Sequence, residues 1–159
     1  MDTIRIVWGT AEGPTPTASY DAALAEAGVH NYNLVPVSSV IPAGARVDPV
    51  GTAPDLGPTG ERLTVVEGRT TVAGPDRATA GVGWTTTAGE GPGVFYEAGG
   101  EADEETIRSY LREGLAAARE LRDWEFVDED LRTVTTEVDS GTYATAVVLA
   151  VYGDSTPIL

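Results

Sequence analysis

The chain has 159 residues, with 25 acidic and 10 basic side chains, and its formal net charge is −15 at pH 7. All the basic residues are Arg, and the chain contains no Cys and a single His. These counts exclude disulfides, thiol catalysis, Cys-ligated metals and the lysine that pyridoxal-phosphate enzymes require. One His also excludes a multi-His metal site within one chain.

The charge disfavours nucleic acid and anionic membranes as partners, because both would repel this chain. Acidity without Lys is typical of adaptation to a salt-rich cytosol, although an ordinary acidic protein is the alternative. No stretch approaches 18 apolar residues, and the first residues, MDTIR, lack the pattern of a signal peptide. We therefore expect a cytoplasmic protein without a transmembrane helix.

The start of the chain predicts a strand, a loop and a short helix. Residues 4–8 alternate as a strand does, and residues 9–16 are rich in Gly, Pro and Thr. A helix is predicted from an N-cap at Thr17 to a stop at Gly28. Its buried face would contain Tyr20, Ala23, Leu24 and Ala27.

The middle of the chain predicts short strands between Pro- and Gly-rich segments. Residues 33–37 form a strand in which Pro36 indicates an edge or an end. Residues 41–60 contain four prolines and are predicted to be a loop. Further strands are predicted at residues 63–67, 70–73, 80–87 and 94–98.

The last third predicts one long helix and two strands. Residues 103–123 have strong helical periodicity, with acids in the first turn. Residues 131–139 and 142–152 are predicted to pair as a hairpin around Ser140-Gly141. The inner face of the helix would contain Ile107, Leu111, Leu115, Ala118 and Leu121.

These elements predict a single α+β domain over residues 1–159, a sandwich of mainly antiparallel strands with two main helices. The length suits one hydrophobic core. No internal repeat and no linker divides the chain.

Most candidate motifs lack essential residues. Gly81-Val82-Gly83 has no third glycine for a dinucleotide fingerprint, and Asp128-Glu129-Asp130 lacks the glycine and final glutamate of a calcium loop. His30 follows a helix stop, as a solvated loop histidine would. A Ser-His-Asp triad has no Gly-x-Ser-x-Gly elbow to support it. No metal site is predicted.

One candidate remains, at the end of the second strand, where residues 33–42 read NLVPVSSVIP. Taken alone, two serines in a turn satisfy backbone groups. However, the chain resembles the pyruvoyl-dependent arginine decarboxylases in this segment and, in order, over nearly its whole length. The other matching segments are GTAEGPTP at 9–16, YDAAL at 20–24, AGV at 27–29, GVFYE at 93–97, RDWE at 122–125 and the final two strands.

The resemblance implies an αββα sandwich that assembles as a trimer, with active sites between subunits. It also implies that Ser39 attacks the carbonyl of Ser38 and that the chain cuts itself into residues 1–38 and 39–159. The new end would carry a pyruvoyl group made from Ser39, which replaces pyridoxal phosphate. Asn33 matches the residue that assists this cleavage, and its amide can donate to an oxyanion.

The same resemblance assigns the substrate contacts. Asp21 would bind the guanidinium of L-arginine, Leu24 would pack against its aliphatic part, and Glu97 would donate a proton after CO2 leaves. The products would be agmatine and CO2, formed through a Schiff base to the pyruvoyl group, a step of polyamine biosynthesis. Without the resemblance, Asp21 is an acid near a helix start and Glu97 is a solvated strand end.

Two alternatives remain open. A pyruvoyl enzyme could act on another amino acid, although a neutral or acidic substrate would give Asp21 no purpose. The chain could also be an unprocessed, non-enzymatic regulatory or assembly subunit.

Salt adaptation gives a testable prediction. We expect the midpoint of thermal unfolding to rise as KCl is raised to molar concentrations, because screening over about 3 Å at 1 M salt weakens repulsion among the acids. Circular dichroism across a salt series measures the midpoint. A midpoint that does not rise at molar KCl would contradict salt adaptation.

Overall fold

A computed structural model describes residues 2–159. Within them lie two helices and nine strands. In chain order the elements are β1 (Thr3–Gly13), α1 (Pro16–Ala27), β2 (Asn33–Pro36), β3 (Val40–Ile41), β4 (Arg46–Gly51), β5 (Arg62–Ala73), β6 (Asp76–Thr86), β7 (Gly93–Gly100), α2 (Glu104–Glu120), β8 (Asp130–Val138) and β9 (Tyr143–Tyr152).

The strands form two sheets. One has five strands in the order β2-β5-β9-β1-β4, and the other has four in the order β3-β7-β6-β8. Only the edge pairs β1–β4 and β2–β5 are parallel among the pairs described. The α+β class and the mainly antiparallel pairing are therefore confirmed.

Three apolar layers show how the elements stack. Side chains from both sheets, such as Ile6, Val82 and Phe95, form a core between them. Leu24 and other α1 residues pack on the outer face of the five-stranded sheet. Leu111 and its neighbours on α2 pack on the outer face of the four-stranded sheet. The resulting order is helix, sheet, sheet, helix, which is the expected αββα sandwich.

The two sheets come very close together at Gly68 on β5. A Cβ at this position would collide with the backbone oxygens of Gly81 and Ala98 in the facing sheet. Only a residue without a side chain allows this approach, so Gly68 sets the separation of the sheets on the β5 side of the sandwich.

The start of α1 differs from the prediction. The N-cap is Thr15, whose hydroxyl accepts a hydrogen bond from the Ala18 N–H at 3.0 Å, and not Thr17. Pro16 then occupies the first helical position, where its missing N–H costs nothing. The predicted stop at Gly28 is confirmed, with φ of 82°.

Several strand boundaries were also wrong. β1 continues through residues 9–13, and residues 62–73 form one strand where two were predicted. The predicted loop at 41–60 contains β4, which pairs with β1 at the sheet edge, where Pro49 is tolerated. The final two strands are not a hairpin, because β8 pairs with β6 whereas β9 lies between β5 and β1.

The long helix α2 was predicted with one error on its inner face. Asp103 caps it by accepting from the Thr106 N–H at 2.8 Å. Leu111 and Leu115 are fully buried, but Leu121 is 83% exposed because the helix ends at Glu120. Among the described residues, no helix has the length and apolar character needed to cross a membrane.

One connection passes from the first sheet to the second. The chain leaves the five-stranded sheet at Pro36 and enters the four-stranded sheet at Val40. The residues in between, 37–39, carry it from the edge of one sheet to the edge of the other. Ser38 and Ser39 therefore lie on a bridge between sheets.

Candidate active site

The bridge closes in a tight turn at Ser39. The N–H of Val40 donates to the carbonyl oxygen of Ser38 at 2.9 Å, across a single residue. The carbonyl oxygen of Ser39 accepts from the N–H of Phe95 on β7 at 2.7 Å. Backbone donors thus hold both carbonyls of the serine pair.

Glu97 is brought next to this turn. It follows Phe95 by two positions on β7 and pairs with the buried Val82, so it lies on the face of β7 that is turned to the other sheet, although its side chain is exposed. The Ser39 hydroxyl donates to Glu97 Oε2 at 3.1 Å. Two predicted residues separated by 58 positions in sequence are therefore in contact.

A third side chain at the turn, Tyr152, was not predicted. Its hydroxyl donates to the carbonyl oxygen of Val40 at 2.7 Å, and its ring meets Phe95 edge-on at 6.0 Å between centroids. Burial and the nearby Glu97 charge raise the pKa of Tyr152 to about 12. In sequence it is only the last residue of an apolar strand, which gives no signal of a role.

The other predicted residues form a second group along α1. Asp21, Leu24 and Asn33 line one open groove of about 600 Å³ on the outer side of the five-stranded sheet. Asp21 is exposed, whereas Leu24 is 7% exposed and belongs to the core beneath α1. The groove also contains Tyr20, His30 and Tyr32.

Asn33 has a partner in this groove. Its Nδ2 donates to the carbonyl oxygen of Gly60 at 2.7 Å. Asn33 and Ser38 lie at opposite ends of the segment that begins as β2 and leads into the bridge. Within one chain, the Asn33 amide lies with the groove and not at the serine pair.

Tyr20 forms the wall of the groove beside Asp21 and contacts a partly buried carboxylate, that of Glu67, which the sequence did not single out. Its hydroxyl donates to Glu67 Oε2 at 2.6 Å, and the Arg69 guanidinium lies 4.6 Å from its ring centroid. Burial raises the pKa of Glu67, and burial followed by Glu67 raises the pKa of Tyr20 to about 12. Glu67 appeared in sequence as one more acid on a strand.

The structure therefore divides the predicted site into two clusters. Ser38, Ser39 and Glu97 lie at the bridge, whereas Asp21, Leu24 and Asn33 lie across the five-stranded sheet on the α1 side. Residues 2–159 contain no group of three or more His, Cys, Asp or Glu side chains arranged to hold a metal ion.

Comparisons with known proteins agree on one family. The sequence pattern of that family, described as pyruvoyl-dependent arginine decarboxylase, matches residues 3–157. A relative from Halobacterium salinarum with the same name is 52% identical over 99% of this chain and 98% of its own length. The source of this relative fits the salt adaptation expected from composition.

More distant relatives carry the same name. One from Methanococcus maripaludis is 33% identical over 80% of this chain and 76% of its own length. Another from Methanopyrus kandleri is 29% identical over 92% of this chain and 93% of its own length. The match extends across both clusters of the candidate site.

Proposed function

Because the chain belongs to the pyruvoyl-dependent arginine decarboxylase family, we propose that it cuts itself between Ser38 and Ser39 and converts L-arginine to agmatine and CO2. The observation that carries this proposal is the contact of Ser39 with Glu97 and Phe95 at the bridge. We place the enzyme in a salt-rich cytoplasm on the basis of its composition.

The residues around Ser39 fit a pyruvoyl group made from this serine. That group supplies a ketone for the substrate amine and an adjacent amide carbonyl that accepts electrons when CO2 leaves. The amide carbonyl would be that of Ser39, which already accepts the Phe95 N–H at 2.7 Å. A fixed N–H donor aimed at this oxygen stabilises negative charge there without reorganisation.

Self-cleavage begins with attack of Ser39 Oγ on the Ser38 carbonyl carbon. Negative charge then develops on the Ser38 oxygen, where the Val40 N–H already donates at 2.9 Å. As the ester forms, the C–N bond between Ser38 and Ser39 breaks and leaves a free amine on Ser39. Loss of the Ser39 Cα proton then breaks the ester Cβ–O bond, which releases residues 1–38 with a new carboxylate and leaves a dehydroalanine. Water hydrolyses its imine tautomer to the pyruvoyl ketone and releases ammonia. Glu97 orients the attacking hydroxyl through its 3.1 Å hydrogen bond.

Glu97 is the residue we propose to donate a proton to the substrate α-carbon after decarboxylation. Its carboxylate accepts a hydrogen bond from Ser39, the residue from which the prosthetic group would form. The rings of Tyr152 and Phe95 pack against each other beside this turn.

Asp21 is the residue we propose for binding the substrate guanidinium. It is exposed in a groove, and a carboxylate can accept two parallel N–H bonds from this planar group. Leu24 and Tyr20 on α1 provide apolar surface beside it for the aliphatic part of arginine.

A second copy of the chain must complete the site, because the five-stranded sheet separates Asp21 from Ser39 in one chain. The bridge region supports such an interface: Val35, Val37 and Val40 are 37%, 41% and 43% exposed around the serine pair. Burial of these three valines against another copy would remove apolar surface from water. We propose that copies meet here, in the trimer that family resemblance implies, so that the groove of one faces Ser39 of the next. Asn33 would reach the partner's serine pair by the same route.

The cleavage prediction concerns Ser39 itself. Ser39→Ala removes the attacking oxygen, so we expect one intact chain of 16.6 kDa and no decarboxylation. The matched control is Ser38→Ala, which keeps the nucleophile and the carbonyl and is expected to cut. Intact mass and CO2 release from arginine are measured together. An unsplit wild-type chain that releases no CO2 would favour the non-enzymatic alternative.

The proton-donor prediction concerns Glu97→Gln. The Gln amide oxygen can still accept the Ser39 hydrogen bond, so we expect fragments to form. Decarboxylation should fall by about 10²–10⁴-fold, because an amide cannot supply the proton. Turnover is measured on the cleaved variant, with its fragment masses as the control for processing. Normal turnover in this variant would show that Glu97 is not the proton donor.

The substrate prediction concerns Asp21→Asn. Loss of the charged pair, worth about 1.5–3 kcal/mol, should lower kcat/KM for arginine about 10- to 150-fold and weaken discrimination against neutral citrulline. Full arginine activity in this variant would contradict the assignment and favour another amino acid as substrate.

Mixing variants tests the shared site. When Asp21→Asn and Glu97→Gln chains are co-expressed, some interfaces combine an intact groove with an intact Glu97. We expect activity to reappear in the mixed assembly if the residues come from different copies. If both residues act within one chain, the mixture stays as inactive as its parents.

A further inference from the structure

Tyr152 contacts the bridge from a different sheet. It is the last residue of β9, pairs with Ile4 on β1 and is partly buried in the layer between the sheets. Its hydroxyl donates to the Val40 carbonyl at 2.7 Å, and its ring packs edge-on against Phe95. Tyr152 therefore links the five-stranded sheet to the residue that follows Ser39.

The segment it contacts is short and is also held by the buried side chain of Ile41. β3 contains only two residues, which pair with Val94 and Gly93 on β7. In the uncut chain, β2 holds the preceding side of the bridge, since the Val37 N–H donates to Val65 O at 3.0 Å. Cleavage removes that restraint and turns Ser39 into a chain end, and chain ends fray unless tied down.

The proposed reaction requires that Ser39 keep a defined position. The Ser39 carbonyl must stay on the Phe95 N–H, and Glu97 must stay within proton-transfer distance. A misplacement of about 1 Å can cost a hundredfold in rate. A hydrogen bond to the next carbonyl in the chain, that of Val40, holds the Val40–Ile41 peptide, which directly follows the Ser39–Val40 peptide.

The Tyr152 hydroxyl can donate its hydrogen bond over a wide range of pH. Burial and the charge of Glu97 raise the pKa of Tyr152 to about 12. The phenol therefore stays protonated and keeps its hydrogen bond throughout the pH range of ordinary enzyme assays.

We propose that Tyr152 is a positioning residue, whose hydroxyl anchors Val40 so that the chain end formed at Ser39 remains aligned with Phe95 and Glu97 after cleavage. This inference rests on the proposed function for its effect on turnover, but the anchor itself exists in the uncut chain. Tyr152 acts through Val40 and not on the substrate.

The test compares Tyr152→Phe with Tyr143→Phe. Both variants lose one hydroxyl from β9, but Tyr143 lies at the other end of the strand, about 30 Å away. In Tyr152→Phe we expect normal cleavage, a kcat about tenfold lower and an unchanged KM for arginine, because the α1 groove is untouched. Tyr143→Phe should match the wild type in cleavage, kcat and KM.

A second measurement does not depend on activity. Amide hydrogen exchange at Val40 and Ile41 is followed by mass spectrometry in the uncut Ser39→Ala chain, with and without Tyr152→Phe. We expect exchange about tenfold faster when the hydroxyl is absent, with the Phe ring keeping the fold intact. The β9 amides serve as the internal control for folding.

The outcomes separate this inference from the proposed function. Unchanged exchange and unchanged kcat in Tyr152→Phe would overturn the anchor. A change in KM alone, or failure to cleave, would also overturn it, because Tyr152 would then act in binding or processing. If the wild-type chain neither cleaves nor decarboxylates, the proposed function is wrong. The exchange experiment still shows whether the Tyr152 hydroxyl holds Val40 in place.

Discussion

The site depends on a chain that must pass from one sheet to the other in three residues. Because residues 37–39 bridge two sheet edges, Ser39 cannot extend either strand and turns sharply. Its carbonyl is fixed by the Phe95 N–H of the second sheet, while Val37 remains bound to Val65 of the first. The peptide between the serines is thus held on both sides and exposed in the middle, which suits the proposed cleavage.

The layer order explains why one chain carries two incomplete clusters. α1 covers the outer face of the five-stranded sheet, whereas Glu97 lies on the face of β7 that is turned to the other sheet. Stacked layers lie about 10 Å apart, so side chains on opposite faces of a sheet cannot meet. Under the proposed function, Asp21 and Glu97 act on the same small substrate only when different copies supply them, which ties the proposed site to assembly.

The elements that sequence predicted well are those determined by local contacts. The α2 pattern needed only a single apolar face and the Asp103 cap, and Gly28 ended α1 because it adopts positive φ. The hairpin prediction was wrong because turn residues between β8 and β9 specify a reversal but not a pairing partner. Pairing is decided by apolar faces far apart in sequence, which placed β9 between β5 and β1.

By itself, the sequence determined the inventory of chemistry: the absence of Lys and Cys excludes a Schiff-base lysine and thiol catalysis, and the serine pair lies in a segment that resembles the family. It also determined the acidic surface and the class of the fold. Only the tertiary structure decided that Ser39 meets Glu97, that Tyr152 anchors the same turn, and that Glu67 supports Tyr20. Those contacts join residues separated by 47 to 112 positions. No local pattern encodes them, because they arise when two sheets stack and their strand ends converge.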